Sequence, residues 1–160
     1  MIITNLSLLS RDEYMKYASF SLIPDKEFDW WLKTPYNNAL PENYVCTVDF
    51  AGFFDDSICS QCNIGVRPVC YFEIELTDKE FWYKEKCLKN LIGSKIEHGG
   101  YSWTTLDVTK SQLLVLCDEC IAYRCFDPKT NVWENSELKT WLETKAINLI
   151  TKRNKREKNV

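Results

Sequence analysis

The chain has 160 residues, 45% of them hydrophobic and 14% aromatic, with a formal net charge of -3. That composition excludes a disordered chain, and the length sets one domain as the expectation. Charge is uneven: residues 152–160 hold five basic side chains and one acid, a local +4 that leaves -7 on residues 1–151. An acidic body excludes nucleic-acid binding through the whole surface, and it suits a partner with a basic surface. No stretch approaches the ~20 apolar residues of a membrane span. Met1 to Asn5 has no basic n-region, so no signal peptide is expected and the protein is placed in the cytoplasm.

In chain order, Ile2 to Leu9 reads as a short buried strand, and Ser10-Arg11-Asp12-Glu13 as a capping box opening a helix over Asp12 to Tyr17. Trp30, Trp31 and Leu32 form an apolar block ended by Thr34-Pro35. Tyr44 to Phe50 alternates, with Tyr44, Cys46, Val48 and Phe50 on one face, the pattern of a half-buried strand. Strand signal returns over Phe53 to Ile58 and Ile64 to Leu76, where Cys70, Phe72, Ile74 and Leu76 share a face. Thr77-Asp78-Lys79-Glu80 opens a second helix that ends at Gly93. Strands follow near Tyr101–Val108, Leu113–Cys117 and Ile121–Phe126. A last helix capped by Ser136 carries Leu138, Trp141, Leu142, Leu149 and Ile150 as its apolar stripe. The expected fold is α+β: one compact domain over 1–151, an antiparallel sheet with hairpins, about three helices, and a basic, flexible tail over 152–160.

Of eight cysteines, two CxxC pairs stand out, Cys59 with Cys62 and Cys117 with Cys120, each between strand-like runs. Two such knuckles at hairpin turns aim four sulfurs at one point and complete a tetrahedral site, so Zn2+ is the expected cofactor, with Cys125 able to replace one ligand. Without a signal peptide, a disulfide framework is disfavoured. Two other readings stay open. In one the thiols are simply reduced, with Cys46 and Cys70 packed as small hydrophobes. In the other a CxxC pair performs thiol–disulfide exchange, which calls for a helix N-terminus that neither pair has.

The adjacent acids Asp55-Asp56 and Asp118-Glu119 read as solvated turn residues, because neighbours on a strand point to opposite faces and do not converge. His98 reads as an exposed turn residue. Phosphate loops, dinucleotide fingerprints and hydrolase motifs are absent from the sequence. The six tryptophans read as core, with a stacking platform as the rival. Arg67, between Val66 and Pro68, reads as a buried hydrogen-bonding hub for loop carbonyls or a carboxylate.

Trp30-Trp31-Leu32-Lys33-Thr34-Pro35 followed by Gly65-Val66-Arg67-Pro68 resembles a bacterial and phage domain family of unknown function marked by WWLRSP and GVRP motifs. Leu8-Leu9-Ser10-Arg11-Asp12-Glu13-Tyr14 is similar to its LLSxxEY segment. Gly99 to Trp103, Leu106-Asp107-Val108 and Trp133 to Leu142 are similar to a block that comes first in the family and last here, as in a circular permutant. Lys33 and Lys139 stand where the family has arginines, and the cysteine knuckles are outside its pattern. The resemblance implies a scaffold rather than a reaction.

These readings converge on a small, non-enzymatic, zinc-stabilised protein that binds a macromolecular partner bearing a basic surface. A phage or mobile-element inhibitor, such as an anti-CRISPR protein acting on a Cas nuclease, is the concrete form. A thiol–disulfide oxidoreductase and a carbohydrate- or ligand-binding module are the alternatives.

Overall fold

The computed structural model describes residues 2–36, 43–74, 88–109 and 111–151. Helix α1 (Arg11–Ser19) starts at the expected capping box: Ser10 Oγ accepts the Glu13 N–H at 3.2 Å, and the Glu13 carboxylate accepts the Ser10 N–H at 2.7 Å. It presents Tyr14 and Tyr17 to the core.

Among the described residues there are ten strands, in chain order: β1 (Ile3–Ser7), β2 (Trp30–Pro35), β3 (Tyr44–Val48), β4 (Phe54–Ile58), β5 (Gly65–Val66), β6 (Val69–Glu73), β7 (Lys95–His98), β8 (Tyr101–Val108), β9 (Gln112–Cys117) and β10 (Ala122–Tyr123). They build two five-stranded sheets rather than the single antiparallel sheet expected. The first, ordered β1-β6-β9-β8-β7, is antiparallel throughout. The second, ordered β10-β5-β2-β3-β4, is mixed, because β5 runs parallel to β2 with Trp30 opposite Gly65. Alternation marks which face of a strand is buried but not which strand lies beside it. The division is made at Arg67-Pro68, where the chain leaves β5 in one sheet and enters β6 in the other. Pro68 has no N–H to continue a ladder.

Both faces of the first sheet are covered. On one, Cys70, Phe72, Trp103, Val115 and Cys117 pack with Trp31, Phe126 and the C-terminal helix; on the other, Val69, Leu106, Leu114 and Leu116 pack with Trp30, Tyr14 and Tyr17. Trp30 and Trp31, adjacent on β2, thus serve opposite cores, as alternation along a strand requires. Strand β3 departs from the half-buried expectation: Val45 and Thr47 are buried as fully as Cys46 and Val48, because β3 lies between β2 and β4 with packing on both sides. Of the tryptophans, Trp30, Trp31, Trp103 and Trp133 are buried and Trp141 is half-buried; Trp82 lies outside the described residues.

Two helices are described, against about three expected. Of the helix expected over 77–93, residues 77–87 lie outside the described residues. Gly93 at its expected end adopts φ +82° and donates its N–H to the Thr105 carbonyl at 2.8 Å. Helix α2 (Glu137–Trp141) is capped by Ser136, whose Oγ accepts the Lys139 N–H at 3.1 Å. A π turn, Leu142–Ala146, follows, and the chain stays helical to residue 151. The buried stripe is Leu138, Leu142, Ala146 and Ile150, so Leu149, expected inside, is 57% exposed. A π turn takes more residues per turn than an α turn, which keeps positions four apart on one face.

Candidate functional site

Two places in the fold gather unusual side chains: the junction where the chain crosses between sheets, and the outer edge of β4.

At the junction, the Arg67-Pro68 crossing meets the return crossing from β9 to β10, which is the second CxxC. The Cys117 N–H donates to the Pro68 carbonyl at 2.9 Å, and the Ile121 N–H to the Val66 carbonyl at 3.0 Å. Arg67, fully buried, donates Nε–H to the Cys117 carbonyl at 3.1 Å and lays its guanidinium 4.5 Å from the Trp30 ring centroid. Burial pulls its pKa down to about 10, against the opposing pull of Asp118. Asp118 is held by Lys95 at 2.6 Å and by the Thr104 hydroxyl at 2.7 Å. Arg67 is buried as expected, but its side chain serves one carbonyl rather than several. Gly65 is required here by contact rather than by φ. A Cβ on it would lie 2.8 Å from the Phe28 ring, 3.0 Å from Cys120 Sγ and 3.1 Å from the Asp29 carbonyl oxygen.

Neither CxxC is a hairpin turn, since β4 and β5 are not neighbours and β9 and β10 belong to different sheets. Cys62 forms a disulfide with Cys125, 63 positions on, where the sequence disfavoured one. Spacing could not disclose it, because the pair is brought together only when β10 docks on β5. Cys59 and Cys117 are buried, Cys120 is half-buried, and Cys120 Sγ–H donates to the Ala122 carbonyl at 2.9 Å. Burial, then the charge of Asp127, holds the Cys59 thiol above its ordinary pKa; burial raises Cys117 as well, and neither is primed as a thiolate. Among the described residues no three His, Cys, Asp or Glu side chains are grouped as a metal site would need. Cys117 and Cys120 border the junction, Cys59 follows β4 with its carbonyl accepting the Asp127 N–H at 3.0 Å, and Cys62 is engaged by Cys125.

His98, expected exposed, is buried in β7, its ring 5.0 Å from that of Phe72; its carbonyl accepts the Trp103 indole N–H at 3.0 Å. A histidine ahead of Gly99-Gly100 looks like a turn residue until β7 pairs with β8.

The second place is the β3–β4 hairpin. Asp49 Oδ1 accepts the N–H of Ala51 at 2.8 Å and of Phe53 at 2.9 Å, and Gly52 supplies φ +83°. The Phe50 N–H donates to Asp29 Oδ1 at 3.0 Å, and the Tyr14 hydroxyl donates to the Gly52 carbonyl at 2.8 Å. This bonded tip holds Phe50 (66% exposed) and Phe53 (69% exposed) out in solvent. Phe50 was expected inward with Cys46 and Val48. The turn begins one residue before it, and the Asp49-to-Gly52 composition was the available signal. Along β4, Phe54 and Ile58 are also exposed, and Asp55 and Asp56 lie between them. The two acids sit on this edge strand rather than in a turn. Phe54 is steadied by Arg11, 4.9 Å from its ring, and by the edge of Tyr14. β4 closes the second sheet, and among the described residues its outer edge pairs with no further strand.

No family model, no curated protein and no solved structure matches the chain. No helix among the described residues is long and apolar enough to cross a membrane.

Proposed function

We propose that the protein is a non-enzymatic binding protein whose β4 edge and β3–β4 tip dock a positively charged protein partner. The observation that carries this reading is the tip itself: two phenyl rings held outward by a fully bonded turn, next to an open strand edge bearing Asp55 and Asp56. Rigid exposed aromatics are the anchors of protein interfaces, since little side-chain entropy is lost when they bury. An unpaired edge accepts an extended segment by main-chain hydrogen bonds, and the two carboxylates select a basic one. The -7 carried by residues 1–151 extends the same preference over long range. Nucleic-acid-binding nucleases, Cas nucleases among them, are the partner class with that surface, and inhibition by occupying it follows from the docking.

The test is titration of a Cas nuclease with native protein and with the Asp55→Lys, Asp56→Lys double variant. Asp55 is exposed and Asp56 half-buried on the edge strand, and a circular-dichroism spectrum matching that of the native protein checks that the variant folds. Binding weakened at least tenfold in the variant, chiefly through a slower association rate, supports the docking edge. Unchanged binding removes β4 from the interface.

A further inference from the structure

Arg67 makes one side-chain hydrogen bond, from Nε–H to the Cys117 carbonyl, and its Nη1 and Nη2 atoms, both sealed from solvent, have no partner. A buried charged group with unpaired donors is costly, and native folds nearly always satisfy it. Asp118 is the carboxylate acting on the guanidinium, and Lys26, itself under the influence of Asp118, Lys95 and Glu119, is a cation in range of it. Both carboxylates are engaged elsewhere: Asp118 with Lys95 and Thr104, and Glu119 with the Ser102 N–H at 3.1 Å. Lys26, half-buried on the segment between α1 and β2, adds a cation whose charge is disfavoured first by burial and then by Arg67 itself. The guanidinium and Lys26 therefore lie near carboxylates that are already engaged by other donors. The Trp30 ring covers one side of the guanidinium but cannot accept its in-plane N–H groups. A water molecule would accept those hydrogen bonds yet bring no charge.

We propose that the Nη1/Nη2 fork of Arg67, with Lys26 beside it, is a binding site for a carboxylate. The two oxygens of a carboxylate match the two parallel N–H donors of a guanidinium, and half-buried Lys26 supplies a second cation in range of it. The carboxylate is either that of a free small acid or a side chain of an acidic peptide. The site is independent of the β4 edge and stands whether or not that edge docks a partner.

The experiment is thermal unfolding of the full chain in sodium acetate, in a short glutamate-rich peptide and in inorganic phosphate, each against sodium chloride at equal ionic strength. A ligand held only by the folded state raises Tm with its logarithm once above its Kd. The proposal expects a saturable rise with acetate, with the peptide or with both. Acetate alone identifies a free acid, and the peptide alone identifies a partner-borne carboxylate. Lys26→Gln should weaken the response several-fold in apparent Kd, and Arg67→Lys, which keeps the charge and removes the fork, should abolish it. If Arg67→Lys does not fold, Lys26→Gln carries the test. Carboxylates no better than chloride, phosphate saturating where neither carboxylate does, or a native response in Lys26→Gln would each overturn the assignment.

Discussion

Asp127 ties the start of α2 to its own turn with one carboxylate. Oδ1 accepts the N–H of Lys129 at 2.8 Å and of Thr130 at 3.0 Å, and Oδ2 accepts that of Glu137 at 3.0 Å, the first residue of α2. Burial opposes its ionisation, but the three N–H groups outweigh burial and hold its pKa below the ordinary value. A folded pKa that is depressed contributes stability above the unfolded aspartate value of ~4 and loses it as pH falls through the folded value. Asp127→Ala should cost about 1–3 kcal/mol at neutral pH, and the deficit against native protein should shrink in the acid limb of a pH–stability curve. At Gly65 the same scale predicts overpacking. Gly65→Ala drives a methyl against Phe28, Cys120 and the Asp29 carbonyl, at a cost of roughly 1–3 kcal/mol in denaturant midpoint terms.

At the scale of elements, the C-terminal helix separates two readings of one stripe. With the π turn, Leu142 is in the core and Leu149 is outside. Leu142→Ala should then cost about 2–5 kcal/mol, whereas Leu149→Ala should stay within about 0.5 kcal/mol. Equal losses at both positions would restore the uninterrupted α-helical face. What was legible in the sequence follows the same division. Capping at Ser10 and Ser136, alternation along β6 and the burial of Trp30, Trp31 and Trp103 are local patterns, and residue spacing carries them. The π turn leaves no periodicity of its own. The partition into two sheets depends on Pro68 and on pairings such as Ala122 with Val66, which join residues over fifty positions apart. The Cys62–Cys125 bridge and the burial of His98 depend on those pairings too, and local spacing does not record them. The outward turn of Phe50 is written in Asp49 and Gly52, whereas alternation along β3 points the other way and ends at Val48.

For the whole molecule, cysteine chemistry and partner choice are the two large-scale commitments. Cys62 cannot serve both a disulfide and a zinc site. Alkylation of unreduced, unfolded protein should leave Cys62 and Cys125 unlabelled and label Cys46, Cys59, Cys70, Cys117 and Cys120. Reduction should then lower stability by up to ~4 kcal/mol, the chain-entropy value for a loop of this length. Metal analysis showing about one zinc per chain, the content of one closed tetrahedral site, would instead assign the knuckles to Zn2+. Partner choice is tested most directly by titrating full-length protein, and protein truncated before residue 152, against a basic Cas nuclease and against naked DNA duplex over a range of salt. The docking account predicts association with the nuclease that slows as salt rises and is kept or slightly improved by truncation, because the shortened chain is more negative. Tight binding to naked duplex that disappears with the basic tail would contradict it.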